Sequence, residues 1–285
     1  MSRSMAAATT LNSSCAIAVL ANDKVIDWLL PFLESYRATS AAIPLHIIPY
    51  NDNIRRTQRA AQIYGAHFFE GETTRVDALA KRLYPFFPHH RRRLRKLAAL
   101  TLPCDRVIYM DVDTILFRNL EKVFAAPSLS EADFVVASPS ESYVYNSRSA
   151  EFPFLHDKML FNDGFFLTSH RVLSLDDFER VIAEDGKIFH RVRKRGMLFA
   201  QPLVNFVVHR LGLKVRTLGD CMPNASNESF YKAEGVTMTG CGPLDWQGRD
   251  IYFAHWAGAP GKPKGRIFDS RWHEYAIRAR ERMTG

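Results

Sequence analysis

Asp111 and Asp113 stand two residues apart in the stretch Arg106-Val-Ile-Tyr-Met-Asp-Val-Asp-Thr. In an extended chain residues i and i+2 project to the same side, so this spacing offers two carboxylates to one point. Two neighbouring hard oxygen donors repel each other and attract a divalent cation, and oxygen ligands of this kind suit magnesium or manganese. The plainer reading of the same pair is a solvated strand end with two acidic side chains. His255, at the end of a strand-like run, can offer an imidazole nitrogen, and alone it reads as a half-buried histidine at a strand end. Lys262 can meet an anion as a point charge, and Gly258 and Gly261 would let backbone pass close to that anion.

These groups need a scaffold that brings them together. Cys15-Ala-Ile-Ala-Val-Leu-Ala is a short, continuous apolar run ending at Asn22-Asp23, the pattern of a strand buried on both faces. Val25 to Tyr36 carries apolar residues at helical spacing, with Pro31 in mid-pattern. A second strand follows at Pro44 to Pro49 and a second helix at Ile54 to Tyr64, and this alternation predicts a Rossmann-like parallel sheet. Pro88 to Leu102 reads as a helix with Leu94, Leu97 and Ala98 on its inner stripe, and Arg106 to Met110 as a strand. Asp111 and Asp113 then fall at the C-terminal end of that strand, where open α/β sheets place their ligands. Further strands are expected at Phe134 to Ala137, Gly164 to Thr168, Lys214 to Thr217 and Ile251 to His255, and a mobile loop from Pro139 to Pro153.

The 285 residues can bury a large core, and 47% hydrophobic with 24% charged residues excludes a disordered chain. No apolar run is long enough to span a bilayer, and Met1 to Ser14 reads as a flexible tail rather than a signal peptide. The four cysteines are far apart with no CxxC pair, so a reducing cytoplasm is the expected compartment. The net charge of +8 favours an anionic partner: a nucleotide diphosphate, the acidic inner face of a membrane, or, less in keeping with the rest, nucleic acid.

Cys104 to Leu120, with the Asp-Val-Asp step inside it, resembles the DxD region of the family 8 glycosyltransferases. Four more stretches follow in that family's order: Ala21-Asn22-Asp23, Phe161-Asn162-Asp163-Gly164, Gln201-Pro-Leu-Val-Asn205, and His255-Trp-Ala-Gly258 with Lys262-Pro263. Together they span residues 15 to 265. The resemblance implies a GT-A fold: one α/β domain over residues 15–285, with a Rossmann-like nucleotide-binding half and a mixed-sheet acceptor half. It implies manganese (or magnesium) held by Asp111, Asp113 and His255, a UDP-sugar donor, and transfer of a hexose, commonly glucose or galactose, with retention at the anomeric carbon. The acceptor, whether a lipid-linked or other carbohydrate, a small metabolite or a polymer, is left open. Ala21, Asn22 and Asp23 would contact uracil and ribose, and Asp111, Val112, Gly258 and Lys262 the rest of the nucleotide. Asn162 would touch the donor sugar, and Gln201 would lie near the anomeric carbon.

The sequence departs from the family pattern at Ala200, where the family has an aspartate, and Asp163 is the substitute carboxylate proposed here. The His255-to-Lys262 interval is one residue longer than usual, and Lys264 stands where an aromatic is common. An arginine from the basic run His89 to Lys96 would reach the donor; Arg93 and Arg95 both qualify, with Arg93 preferred. The other charges of that run read as a solvated helix face. A second basic stretch, Arg271 to Arg282, carries Trp272 and Tyr275 and reads as a packed helix, with a membrane-facing segment as the alternative. Two rival functions fit parts of the pattern. One is a haloacid-dehalogenase-type phosphatase with Asp111-Val-Asp as its motif and Asp220 as a later acid. The other is a binding module that keeps the fold without catalysis.

Overall fold

The computed structural model describes residues 14–71, 73–140, 155, 157–185, 200–259 and 261–284. The expected tail (all but Ser14) and the expected loop beyond residue 140 lie outside the described residues. In chain order come β1 (Cys15–Ala21), α1 (Ile26–Thr39), β2 (Leu45–Pro49), α2 (Arg55–Tyr64), β3 (His67–Phe68), α3 (Thr74–Leu83), α4 (Pro88–Arg93), β4 (Arg106–Met110) and β5 (Thr114–Leu116). They are followed by α5 (Glu121–Phe124), β6 (Phe134–Val136), β7 (Phe165–Thr168), α6 (Leu175–Glu184), α7 (Ala200–Arg210), β8 (Val215–Thr217) and α8 (Leu218–Cys221). Strands β9 (Thr237–Thr239), β10 (Gly242–Leu244) and β11 (Phe253–His255) and helix α9 (Asp269–Thr284) complete the described chain.

Seven strands form one sheet in the order β3-β2-β1-β4-β7-β6-β8. β1 pairs in parallel with β2 and β4, and β7 runs antiparallel to both β4 and β6. Alternate residues of β1 feed two separate cores. Ala16, Ala18 and Leu20 pack into one; Ile17, Val19 and Ala21 pack into the other, against α1 and α2. Both faces are covered, which is why β1 is apolar throughout instead of alternating. A third, aromatic cluster joins Trp28, Trp256 and Trp272 with Tyr275 and Phe268, and docks α9 onto α1. Trp272 is 1% exposed, so it cannot serve as a headgroup anchor, and the membrane alternative for Arg271 to Arg282 is set aside. Arg271 and Arg278 of that helix pair with Glu274, and Arg282 pairs with the buried Glu34.

Local chemistry sets several boundaries. Ser174 and Asp177 form a reciprocal capping box at the start of α6, whose Leu175, Phe178, Val181 and Ile182 then face the core. Gly65 at φ +65° ends α2 in the left-handed region. The stretch read as one helix from Pro88 to Leu102 is two pieces, α4 and a 3-10 segment at Leu94–Thr101. In a 3-10 turn residues three apart align, so Leu94, Leu97 and Leu100 share the buried side. The tighter winding also turns Lys96 inward, where it is 5% exposed, rather than onto a solvated face.

Sheet topology positions the site. The C-terminal ends of the parallel strands β1 and β4 and the start of the antiparallel strand β7 meet at one edge. That edge gathers residue 22, residues 111–113 and residues 162–164. The β4–β7 ladder continues one step beyond Met110, with the Asp111 N–H donating to Gly164 O at 2.8 Å. The short antiparallel pair β5–β11 sets Thr114 opposite His255, and Trp256 N–H donates to Asp113 O at 2.8 Å.

Candidate active site

Asp111, Asp113 and His255 each present one ligand atom, and these atoms lie within 4.8 Å of one another. His255 Nε2 stands 3.2 Å from Asp113 Oδ1 and 3.7 Å from Asp111 Oδ2. The Asp-x-Asp step aims both carboxylates one way, and the β5–β11 register brings the imidazole to them. Close approach of backbone is required as well. A Cβ on Gly164 would fall 2.2 Å from His255 Cε1 and 2.9 Å from Asp111 Oδ2, so any side chain there would displace the cluster.

Beneath the cluster lies a buried cation that the sequence did not reveal. Lys96 Nζ is 3.0 Å from Asp163 Oδ2 and 3.4 Å from Asp111 Oδ1, and it donates to the Asp163 carbonyl at 3.3 Å. It also sits over the ring of Tyr109 at 4.8 Å, and the Tyr109 hydroxyl donates to Asp111 Oδ1 at 2.8 Å. Burial alone would push the Lys96 pKa down, but the Asp111 and Asp163 charges outweigh it and raise it. Burial would likewise raise Asp111, yet Lys96, then His255, then the Tyr109 hydrogen bond hold it below the usual carboxylate range. Asp163 goes the other way: burial and the Asp111 charge raise it, with Lys96 opposing. His255 is raised because Asp113 and Asp111 outweigh its burial. A single ammonium thus faces two carboxyl groups, Asp111 and Asp163, while Asp113 faces His255. The field that favours a proton on His255 also favours a divalent cation among its neighbours, and two oxygens with one nitrogen suit manganese or magnesium.

The cluster opens onto a cavity of about 1350 Å³. Of the residues expected at the nucleotide, Asn22, Arg93, Asp111, Val112, Asn162 and Gly258 line it, and so do Asp163 and Gln201. Asn22 Nδ2 donates to Asn51 Oδ1 at 3.1 Å, and Asn51 lines the same wall. Asn162 Oδ1 accepts the Gly164 N–H, and Gln201 Oε1 accepts the Asp163 N–H at 3.3 Å. Asn205 holds this corner from behind: its side chain bonds both backbone groups of Phe161 and the Gln201 carbonyl. Asp163 Oδ2 is buried in the wall against the Lys96 ammonium.

Other expected residues sit elsewhere. Asp23 is outside the cavity wall and caps α2 instead, accepting from Thr57 N and Oγ1 at 2.9 Å and from Arg56 N at 3.1 Å. Ala21 is fully buried in the sheet, its carbonyl taken by the Tyr50 N–H. Arg95 forms a two-pronged ion pair with Asp77 and donates to Pro49 O, so of the two candidates Arg93 is the one at the wall, beside Arg92. Lys262 is half exposed, away from the wall, and paired with Asp27 at 2.9 Å. Asp220, the later acid of the phosphatase reading, is the capping-box partner of Thr217 and not a cavity group.

No protein-family model matches the sequence, and no curated protein matches it. Solved structures do match. The galactosyltransferase LgtC, solved with donor and acceptor sugar analogues, aligns at a TM-score of 0.61 and 14% identity, covering 92% of this chain and 95% of its own. The bifunctional glycosyltransferase WbbM aligns at 0.59 and 12% identity, covering 97% of this chain and 53% of its own. Mouse xyloside xylosyltransferase 1 gives 0.56 and 12% identity, covering 87% and 99%. An LgtC variant with an active-site glutamine changed to glutamate gives 0.60 at 15% identity, covering 92% and 95%. The fold of this chain is therefore the GT-A glycosyltransferase fold that its motifs implied.

Proposed function

We propose that this chain is a metal-dependent glycosyltransferase that moves a hexose from a nucleotide-diphosphate sugar, UDP-glucose or UDP-galactose, to a carbohydrate or lipid-linked acceptor, with retention. The observation that carries the proposal is the Asp111–Asp113–His255 cluster on the wall of a cavity larger than a single small ligand needs. The fold neighbours are glycosyltransferases, and one of them was solved with both donor and acceptor sugar analogues.

In this reading Asp111, Asp113 and His255 hold manganese, which when bound supplies Lewis-acid stabilisation to the departing diphosphate. The remaining work belongs to the protein. Asn22 and Asn51 take the nucleoside end, and Arg93 offers a guanidinium to the diphosphate. Lys96 holds Asp111 and Asp163 in place by charge. Asp163, on the cavity wall and paired with Lys96, is the carboxyl group that would stand in for the one missing at Ala200. Gln201, whose oxygen is taken by Asp163 N–H, turns its NH2 end to the donor sugar. A glutamine is an active-site residue in LgtC, and Gln201 is the matching candidate here. The compartment in this proposal is the cytoplasm.

Ala200 favours one other reading, a module that binds the nucleotide sugar without turning it over. Hydrolysis of a UDP-sugar panel without acceptor, beside p-nitrophenyl phosphate, separates the three. Slow manganese-dependent release of one sugar is expected. UDP binding without hydrolysis or transfer indicates the binding module, and p-nitrophenyl phosphate turnover indicates a phosphatase.

A further inference from the structure

The most exposed large apolar side chain among the described residues belongs to Phe86, at 83%, and its neighbour Phe87 is 41% exposed. Both lie in the Tyr84-Pro-Phe-Phe-Pro88 turn between α3 and α4. This turn is held, not slack. Tyr84 is buried and closes α3 through its N–H to Ala80 O, and Phe87 N–H donates back to Tyr84 O. The Arg91 guanidinium donates to the carbonyls of Tyr84 and Pro85, while Pro85 and Pro88 fix φ on either side. The fold therefore presents Phe86 outward on a braced tip, which leaves apolar surface in water with no internal compensation.

The chain that runs from the last turn of α3 through the tip and α4 carries charges of one sign. Residues 78–104 contain no aspartate or glutamate and seven lysines and arginines. Of these, Arg91 braces the turn, Arg95 pairs with Asp77, and Lys96 is buried. The other four, Lys81, Arg82, Arg92 and Arg93, are exposed on the two helices that flank the tip. Arg92 and Arg93 also line the cavity, so the tip stands at its rim.

We infer that the Phe86–Phe87 tip is a membrane foot. The two rings enter the acyl boundary of an anionic membrane while Lys81, Arg82 and Arg92 meet its headgroups. Single-stranded nucleic acid would share the charge preference, but it is gripped in basic grooves with stacking platforms, whereas this is a protruding tip. No described helix is long and apolar enough to cross a membrane, so the contact is peripheral. It places the cavity rim at the lipid surface, where a lipid-linked acceptor would arrive. The docking itself does not depend on the glycosyltransferase reading.

Co-sedimentation with vesicles of equimolar phosphatidylglycerol and phosphatidylcholine, against phosphatidylcholine alone, tests this on the full chain. The wild type is expected to pellet with the anionic vesicles only, and less at high salt. Phe86→Ser with Phe87→Ser is expected to weaken partitioning about tenfold, and Lys81→Gln about fivefold at low salt. Ile277→Ser, which alters an exposed apolar residue on α9 instead, should change nothing. Phe86→Trp, which keeps the ring, should show a blue-shifted emission on anionic vesicles. Absence of wild-type pelleting, equal pelleting of the double serine variant, loss through Ile277→Ser, or no blue shift would each overturn the inference. Capture by a single-stranded oligonucleotide in preference to the vesicles would overturn it too.

Discussion

At the scale of single residues, the convergent carboxylate pair was legible and its buried counter-charge was not. Asp111 and Asp113 announce themselves because a two-residue period in a strand is a local property. Lys96 does not, since its partners Asp111 and Asp163 are remote in sequence and the 3-10 winding that turns it inward is not encoded by apolar spacing. Removing Lys96 would leave Asp111 and Asp163 facing each other without a cation. Lys96→Met is expected to cost about 3 kcal/mol in urea denaturation, as for a buried ion pair that loses one partner. Adding Asp163→Asn should recover part of it, and a Lys96→Met cost under about 1 kcal/mol would contradict the role given to Lys96. Gln201→Ala should lower turnover more than donor affinity, since the proposed function puts its amide where charge develops as the donor bond breaks. A change in apparent donor affinity alone would make Gln201 a binding contact only.

At the scale of elements, β1, β2, β4 and α1 could be read because buried parallel strands are continuous apolar runs and α1 has a clear stripe. β3 and β5 are only two and three residues long, below the length at which a pattern exists, and α3 went unread. β5 matters most, because its pairing with β11 is what carries His255 to the aspartates. Gly164 is the tightest point of that junction. Gly164→Ala should push His255 away and weaken manganese affinity about 10- to 100-fold, read by calorimetric titration, and unchanged affinity would contradict the geometry. Asp23 shows the limit of motif reasoning: its position matches a nucleotide contact, while its carboxylate caps α2. Desolvation raises its pKa, but the Thr57 and Arg56 hydrogen bonds prevail and the net shift is downward. A depressed folded-state pKa means its stabilisation is present above the ordinary carboxylate pKa and lost as pH falls through the folded value. Asp23→Ala should therefore cost about 1 kcal/mol at neutral pH, and the gap from wild type should close in acid. A gap that stays constant into acid would remove the cap explanation.

For the whole molecule, the order of strands and motifs conveyed the GT-A fold, but the cavity had to be seen. Its walls come from chain segments far apart, among them residues 22–28, 109–113, 137–140, 162–165 and 226–230, and no local pattern records that convergence. Net charge named an anionic partner without locating it. The structure moves the exposed basic surface from α9, whose arginines are largely paired, to the α3–α4 tip. The central claim is that the three-residue cluster holds a cation that nucleotide-sugar chemistry requires. Its most direct test is acceptor-free hydrolysis of the best UDP-sugar by wild type and Asp113→Ala, each in EDTA and then with manganese restored. The account predicts wild-type activity that disappears in EDTA and returns with manganese, and an Asp113→Ala protein that is folded but inactive in both. Full wild-type activity in EDTA, or an active Asp113→Ala, would contradict it.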